Sequence, residues 1–217
     1  MEFKQVKNFL IDMDGVILDI KYDHFFWQEH MPMEYAKKND LSLIESKKIL
    51  HQIFYYKTKT KDWYDLDYWS NMIGIDVLKE KNKKNNMDKI KLNDDAIDFL
   101  QVLKKLDKKV FLITNAHKKT LDLKMSKFPL NKYFDNMICS HELNYVKEEI
   151  PFWYMLKRKL NINFENTVLI EDTYENIKAA YLSGINNFIY ISEVEKQNNE
   201  INMTRIKSLK EISSAFK

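Results

Sequence analysis

Glycine and cysteine are both scarce in this chain. Only 3 of its 217 residues are glycine, and Cys139 is its single cysteine. A single cysteine excludes a disulfide framework within the chain and a zinc site built from several thiolates. The five histidines do not fall in an HxH or HExxH arrangement either. A lone cysteine fits a reducing compartment, so we predict a cytoplasmic protein.

The sequence also lacks long apolar runs and a strong excess of charge of one sign. No run approaches the roughly 20 apolar residues of a membrane span, and the opening MEFKQVKNFL lacks the apolar core of a signal peptide. Lys and Arg (35) nearly balance Asp and Glu (32), for a formal charge of +3. We therefore expect neither a membrane nor a nucleic acid as a partner.

The patterns that are present predict an α/β fold. Five short, apolar, β-rich runs are typical of strands buried on both faces: NFLID, KVFLIT, NMICS, TVLIED and NFIYI. From residue 89 onward they alternate with helical periodicity in DDAIDFLQVLKKL, KKTLDLKMSK, IPFWYMLKRKL and YENIKAAYLSG. This alternation indicates a doubly wound, five-stranded parallel sheet with helices on both faces.

Residues 21–88 depart from the alternation and predict an all-helical insertion. The segment SLIESKKILHQIFYYK, for example, has a clear apolar helical face, formed by Ile49, Leu50, Ile53 and Phe54. We expect two domains, an α/β core of residues 1–20 and 89–217 and a helical domain of residues 21–88. The many large aromatic residues of the insertion either fill its small core or stack on a flat substrate ring. The run KEKNKKNN, residues 79–86, predicts a solvated loop.

Polar residues follow three of the predicted strands at their carboxyl ends. In chain order they are Asp12 and Asp14, Thr114 and Asn115, and Glu171 and Asp172. Ligands of doubly wound sheets bind beyond this edge, so these side chains are expected to share one pocket. Four carboxylates in one pocket require a cation, and ligands that are all oxygen favour Mg²⁺.

Lys147, in YVKEEIPFW, is a candidate for a second positive charge in that pocket. A carboxylate about 4 Å from a phosphate dianion is repelled by roughly 8 kcal/mol at an effective dielectric constant of about 20. Attack on phosphorus therefore needs both a metal ion and a cationic side chain. One lysine among 35 basic residues can equally be a surface residue, and the sequence leaves this open.

Four motifs carry a family resemblance: DMDGV, LITNA, YVKEE and LIEDTYENIKAA. Their order and approximate spacing resemble the haloacid dehalogenase-like (HAD) hydrolases, and a helical insertion after the first strand resembles the class with a C1 cap. ILDIKYDHFFWQ, DWYDLDYWSNMIGID and LITNAHKKTLDLK are similar to the bacterial GMP/IMP nucleotidases of this superfamily. The resemblance covers residues 9–190. Two departures are Val16, where many relatives carry threonine, and the lack of proline directly after the motif lysine.

The resemblance implies roles for the catalytic residues. Asp12 would be the nucleophile that forms an aspartyl-phosphate, and Asp14 the general acid and base. Thr114 would hold a phosphoryl oxygen, and Lys147 would offset negative charge. Mg²⁺ would be bound by Asp12, the backbone carbonyl of Asp14 and Asp172, with Glu171 acting through water.

The resemblance also implies substrate contacts. Gly15 would let the backbone approach the phosphoryl group, and Asn115 would hold one of its oxygens. His117, just past LITNA, is a further candidate for contacting the substrate. In the insertion, which would act as a lid, the aromatic residues together with His24 or Lys57 would shape a nucleoside pocket.

The function implied is a Mg²⁺-dependent phosphatase that removes the 5′-phosphate of nucleoside monophosphates, with GMP and IMP favoured, as a monomer or homodimer. A phosphatase or phosphotransferase acting on sugar phosphates or another small phosphorylated metabolite stays open. A binding protein that has kept the fold and lost catalysis is the alternative outside enzymes. It conflicts with the presence of all the reactive residues.

Overall fold

The computed structural model describes residues 5–192 and 201–215. Residues 21–88 are helical, with a π-helical turn, Phe26–His30, between the first two helices. The helices are α1 (Lys21–Phe25), α2 (Met31–Asn39), α3 (Leu43–Lys57), α4 (Lys61–Tyr64), α5 (Leu66–Ile73), α6 (Val77–Asn82) and α7 (Lys84–Met87). The predicted absence of strands from this segment is confirmed.

The remaining described residues form an α/β unit around one sheet. Its strands are β1 (Asn8–Asp12), β2 (Lys109–Thr114), β3 (Asn136–Cys139), β4 (Thr167–Glu171), β5 (Asn187–Ile191) and β6 (Thr204–Ile206). Its helices are α8 (Ala96–Lys105), α9 (Lys118–Lys127), α10 (Ile150–Leu160), α11 (Tyr174–Leu182) and α12 (Lys210–Ala215). Among the described residues, no helix combines the length and hydropathy needed to cross a bilayer.

The strand order is β3-β2-β1-β4-β5-β6, and every neighbouring pair is parallel. The chain builds outward from β1 on one side through β2 and β3, then returns to the other side to build β4, β5 and β6. This reversal next to β1 is the switch point at which doubly wound sheets bind ligands. The predicted doubly wound parallel sheet is confirmed.

The predicted number of strands was wrong, because the sheet has six strands and not five. The additional strand, β6, spans only Thr204–Ile206 and pairs with β5 at the edge of the sheet. Three residues are too few to establish an alternation or an apolar run, so the sequence pattern gave no signal there.

The sheet is buried on both faces, which explains the near-continuous apolar character of its strands. Successive residues of β1 alternate between two core clusters: Phe9 and Ile11 pack on one face, and Leu10 packs on the other. The first face also contacts the helical segment, while the second is covered by α10 and α11. Packing on both faces therefore holds β1 at the centre of the molecule.

The predicted solvated loop at residues 79–86 was wrong. This run forms most of α6 and α7, and Glu80, Lys81 and Asn86 are buried. Each of the three has a polar partner: Glu80 contacts His30 at 2.8 Å, Asn86 donates to the Glu80 carbonyl at 2.8 Å, and Lys81 lies 3.2 Å from Asp23. Partners distant in the chain make this burial possible, so the hydrophilic composition of the run was misleading.

Trp69 on α5 is fully buried at the centre of an aromatic cluster in the helical segment. Its ring meets Phe54 edge to face at 5.0 Å and Trp63 at 5.9 Å, and its indole N–H donates to the Trp63 carbonyl at 2.8 Å. Packing of this kind fixes the positions of the shorter helices, which are too short to be stable alone.

We expect Trp69→Ala to lower the free energy of unfolding by about 3–5 kcal/mol, because it leaves a large cavity and an unpaired carbonyl. Tyr56→Ala is the matched control, since that ring is 81% exposed and its loss should change the stability by about 0.5 kcal/mol or less. Urea unfolding followed by circular dichroism measures both. Equal stability of the two variants would contradict the assignment of Trp69 to the core.

Candidate active site

Three neighbouring strands end at the same edge of the sheet and carry polar groups there. Asp12 ends β1, Thr114 ends β2 and Glu171 ends β4. They border a cavity of about 280 Å³ whose polar lining also includes Asp14, Asp23, Asn115, Lys147, Asp172, Thr173 and Asn176. The predicted convergence of the strand-end groups on one pocket is therefore seen in the structure.

Lys147 lies at the base of this cavity with its side chain almost completely buried. Its ammonium group donates to Asp12 Oδ1 and, at 2.7 Å, to Glu171 Oε2. Burial alone would lower the pKa of Lys147, but the two carboxylates outweigh it and raise the pKa above its ordinary value. Lys147 is therefore held charged between the ends of β1 and β4.

The backbone around Lys147 is fixed by side chains. Its N–H donates to Asn115 Oδ1 at 2.9 Å, and its carbonyl accepts from the Trp153 indole at 2.8 Å. The Glu149 carboxylate also accepts from the Val146 N–H at 2.8 Å. These contacts hold the lysine in place although no proline directly follows it.

Glu148, next to the lysine, links the α/β unit to the helical segment. Its carboxylate accepts from the Asn115 amide at 2.8 Å and from the Tyr64 hydroxyl at 2.7 Å. Tyr64 belongs to α4, and it lines the cavity together with His24, Trp27 and Trp63. The helical segment therefore forms the wall of the cavity opposite the sheet.

Three of the cavity carboxyl groups, Asp12, Glu171 and Asp172, have pKa values above those of ordinary acids. Burial is the largest cause for each, and carboxylates nearby add to it. The pKa of Asp12 is raised to about 8, with Glu171 as its main repelling neighbour. The pKa of Glu171 is raised to about 7, and that of Asp172 to about 6 with Asp12 as the neighbour. Negative charge is thus crowded at this edge of the sheet.

The same three carboxylates fit a divalent cation. Asp12, Glu171 and Asp172 each offer an oxygen, and these oxygens all lie within 4.8 Å of one another. Hard ions such as Mg²⁺ prefer carboxylate oxygens, and positive charge there relieves the crowding that raises the pKa values. The carboxylate of Asp14, in contrast, accepts from Lys124 at 2.6 Å. Burial raises the pKa of Asp14 despite that lysine.

Gly15 is positioned against the cation cluster. Its φ of +89° lies in the left-handed region, and a Cβ there would lie 1.9 Å from Asp172 Oδ2. Its N–H donates to the Leu18 carbonyl at 2.7 Å, which closes the turn after β1. Position 15 therefore requires glycine for a steric reason, because a larger residue would occupy the space of the Asp172 carboxylate. The predicted contact of Gly15 with phosphate stays a prediction.

Of the other predicted site residues, Thr114 and His24 line the cavity, whereas His117 and Lys57 do not. Thr114 lines it, and its hydroxyl accepts from the Ala116 N–H at 3.0 Å. His117 does not line it: the residue caps α9 by accepting from the Lys119 N–H, and its ring lies 5.0 Å from that of His141. Lys57 pairs with Asp62 at 2.7 Å and does not line the cavity. His24 does line it.

Sequence reasoning missed four polar residues around the cavity: Asp23, Tyr64, Lys124 and Glu148. Tyr64 is one of many aromatic residues in the insertion, and nothing in the sequence sets it apart. Lys124 lies on a helix whose sequence, KKTLDLKMSK, offers four lysines of equal appearance. Nothing in the local pattern distinguishes the buried lysine from those exposed to solvent.

Comparison with known proteins supports the family resemblance carried by the sequence motifs. The sequence profile of the haloacid dehalogenase-like hydrolases matches residues 9–190, which is most of the chain. The protein belongs to this family. The hydrolase is also 31% identical over 183 residues to the GMP/IMP nucleotidase YrfG of Escherichia coli (strain K12), which covers 84% of this chain and 82% of that protein.

Solved structures share the fold of this HAD hydrolase. A HAD phosphatase from Thermococcus onnurineus matches with a TM-score of 0.82 at 20% identity and covers 97% of both chains. The putative HAD hydrolase YfnB from Bacillus subtilis, solved bound to magnesium, matches with a TM-score of 0.70 at 18% identity and covers 98% of this chain and 99% of that one. At such low identity these two structures support the fold alone.

We expect Gly15→Ala to displace the Asp172 carboxylate and to weaken Mg²⁺ binding by about 10–100-fold. Gly184→Ala is the matched control, because Gly184 also has a left-handed φ of +102° but a Cβ there meets no atom within 4 Å. Both substitutions strain the backbone by about 1–2 kcal/mol, so a difference in metal affinity reports the contact with Asp172. Calorimetric titration measures it, and equal affinities would refute the steric role.

The raised carboxyl pKa values predict how stability depends on pH and Mg²⁺. A carboxyl group with a raised folded pKa stabilises the fold fully below its unfolded pKa of about 4, and this contribution is lost as the pH rises through about 6 to 8. We therefore expect the metal-free Tm to fall between roughly pH 5.5 and roughly pH 8.5. Mg²⁺ should raise the Tm more at the higher pH, where protons compete less.

Differential scanning calorimetry at both pH values, with and without Mg²⁺, measures this effect. Asp172→Asn removes one of the three carboxylates and should reduce the rise in Tm at the higher pH. A Mg²⁺ effect that is equal at both pH values, or unchanged in Asp172→Asn, would contradict the assignment of the cation to this cluster.

Proposed function

We propose that this HAD hydrolase is a Mg²⁺-dependent phosphatase that removes the 5′-phosphate of purine nucleoside monophosphates. The observation that carries the proposal is the arrangement of Lys147 and three carboxylates at one edge of the sheet, facing a cavity with aromatic walls. An anionic ester could approach such a site because Lys147 and a bound cation offset the charge of the acids.

In the first step, a carboxylate oxygen of Asp12 attacks phosphorus and the bond from phosphorus to the 5′-oxygen breaks. Asp14 gives a proton to that oxygen, so that the nucleoside leaves as a neutral alcohol. The product on the enzyme is an aspartyl-phosphate. Lys147 contacts Asp12 and favours its ionised form, and it would balance negative charge on the phosphoryl group.

In the second step, water attacks phosphorus and the bond to Asp12 breaks. Asp14, now ionised, takes the proton from that water, and inorganic phosphate leaves. Mg²⁺ bound by Asp12, Asp172 and Glu171 would supply positive charge for the phosphoryl oxygens in both steps. The Thr114 hydroxyl lines the cavity and would donate to one of these oxygens.

Asn115 would exchange partners when substrate binds. Its amide now donates to Glu148 at 2.8 Å, and a phosphoryl oxygen would compete for the same N–H groups. Because Glu148 also accepts from Tyr64, this exchange would change a contact made by the helical segment.

We propose that residues 21–88 form a separate cap domain that opens for substrate and excludes water during the reaction.

The purine preference is supported by the cavity wall and by the E. coli relative. Trp27 and Trp63 line the cavity and stack on each other with ring centroids 6.5 Å apart. Aromatic faces of this kind bind flat heterocycles. YrfG, 31% identical to this chain, is a GMP/IMP nucleotidase. Phe26 and Trp69, in contrast, are fully buried and form part of the core.

We expect GMP and IMP to be hydrolysed faster than pyrimidine nucleotides and glucose phosphates, and only in the presence of Mg²⁺. Release of inorganic phosphate measures this over the whole panel. Asp12→Asn should lower turnover by at least about 10⁴-fold, because no nucleophile remains, while the circular dichroism spectrum stays that of the wild type.

The panel separates several outcomes. Glucose phosphates hydrolysed as fast as GMP would overturn the purine preference but leave the phosphatase assignment. Substantial activity of Asp12→Asn would refute the nucleophile. Full activity in the presence of a chelator would remove the metal from the proposal.

A further inference from the structure

Four charged side chains beside the cavity form a chain of alternating sign. Lys124 Nζ donates to Asp14 Oδ1 and to Asp23 Oδ2, both at 2.6 Å. The other oxygen of Asp23 lies 3.2 Å from Lys81 Nζ. The order Asp14, Lys124, Asp23, Lys81 therefore places every charge next to at least one of opposite sign.

Lys81 and Lys124 are both buried, with 1% of each residue exposed. Lys81 lies over the ring of Phe26 at 4.2 Å and over that of Tyr22 at 4.9 Å. A buried ammonium group is costly unless it is paired, and surface pairs of this kind contribute little. These four paired side chains are therefore part of the buried structure and not a chance contact between solvated side chains.

The geometry excludes the simplest role for Lys124, which is direct binding of phosphate. Lys124 and Lys147 are both buried, and each is shared between two carboxylates, so the difference that decides their roles is which of them borders the cavity. Lys147, which faces the cavity between Asp12 and Glu171, is the lysine placed for that purpose. Lys124 does not line the cavity.

The members come from separate parts of the fold. Asp14 follows β1 and Lys124 is on α9, both in the α/β unit, whereas Asp23 is on α1 and Lys81 on α6 of the helical segment. Asp14 is thereby connected through one lysine to the helices that form the opposite wall of the cavity. Its Oδ1 is fixed by Lys124, which leaves Oδ2 to exchange a proton with a substrate or water.

We propose that Lys124 is a positioning residue for Asp14, and that Asp23 and Lys81 hold Lys124 in place from the helical segment. The inference rests on the proposed function, in which Asp14 protonates the departing oxygen. Misorientation of the Asp14 carboxylate lowers the rate of the first step most for a leaving group that cannot depart as an anion.

The test compares two esters by kcat/KM, which reports the steps up to formation of the aspartyl-phosphate. GMP has an alkoxide leaving group that needs a proton, whereas p-nitrophenyl phosphate releases a stabilised phenolate without one. We expect Lys124→Met to lower kcat/KM for GMP by about 100-fold and to lower the ratio of the GMP value to the p-nitrophenyl value by at least about 30-fold.

A double-mutant cycle shows whether Lys124 acts through Asp14. Asp14→Asn alone should give the same selective loss for GMP, and adding Lys124→Met to it should cost only about 3-fold more. Lys118→Met is the matched control, because Lys118 lies on the same helix but is exposed and pairs with Asp122. Its kcat/KM values should equal those of the wild type.

Asp23→Asn provides a second variant with its own prediction. It keeps the shape of the side chain but removes the charge that holds Lys124, so the ratio of the two kcat/KM values should fall by about 3–10-fold. If Lys124→Met does not fold, as judged by circular dichroism, Asp23→Asn decides the question.

The outcomes separate this inference from the proposed function. A wild-type enzyme that hydrolyses neither ester overturns the proposed function and the inference together. A wild-type enzyme active on both esters, with variants that lose both activities equally, overturns the inference alone. The inference also fails if the losses from Lys124→Met and Asp14→Asn multiply in the double variant.

Discussion

The ammonium group of Lys147, bound between Asp12 and Glu171, is the interaction on which the rest of the site depends. The ends of β1 and β4 place these two acids side by side in a buried position, where their charges repel. Without a cation between them, ionisation would cost several kcal/mol per charge. One lysine thus makes it possible for two neighbouring strands to end in carboxylates at the same edge.

A second buried lysine serves the other acid of the DMDGV motif. Asp12 and Asp14 are only two residues apart, yet Asp12 contacts Lys147 and Asp14 contacts Lys124. Lys124 lies on α9, whereas Lys147 precedes α10. Each of these two nearby acids therefore has its own buried lysine, which suits two different tasks in one reaction.

The helical segment contributes both packing and polar contacts to the cavity. Trp69 and the rings around it fix the short helices, and Tyr64 reaches across to the Glu148 carboxylate. The same segment supplies Asp23 and Lys81 to the buried charges beside Asp14. Residues that stabilise the helices and residues that border the cavity are thus neighbours in the same small core, so a change in one set will affect the other.

The sequence by itself determined the parallel α/β architecture and the positions of Asp12, Thr114 and Glu171 at strand ends, because burial on both faces and strand length are local properties of the chain. The tertiary structure alone decided which lysines are buried. Lys124 meets Asp14 across 110 positions and Lys81 meets Asp23 across 58, and no local pattern records such a pairing. The space that Gly15 leaves for Asp172 and the short edge strand β6 depend in the same way on distant residues.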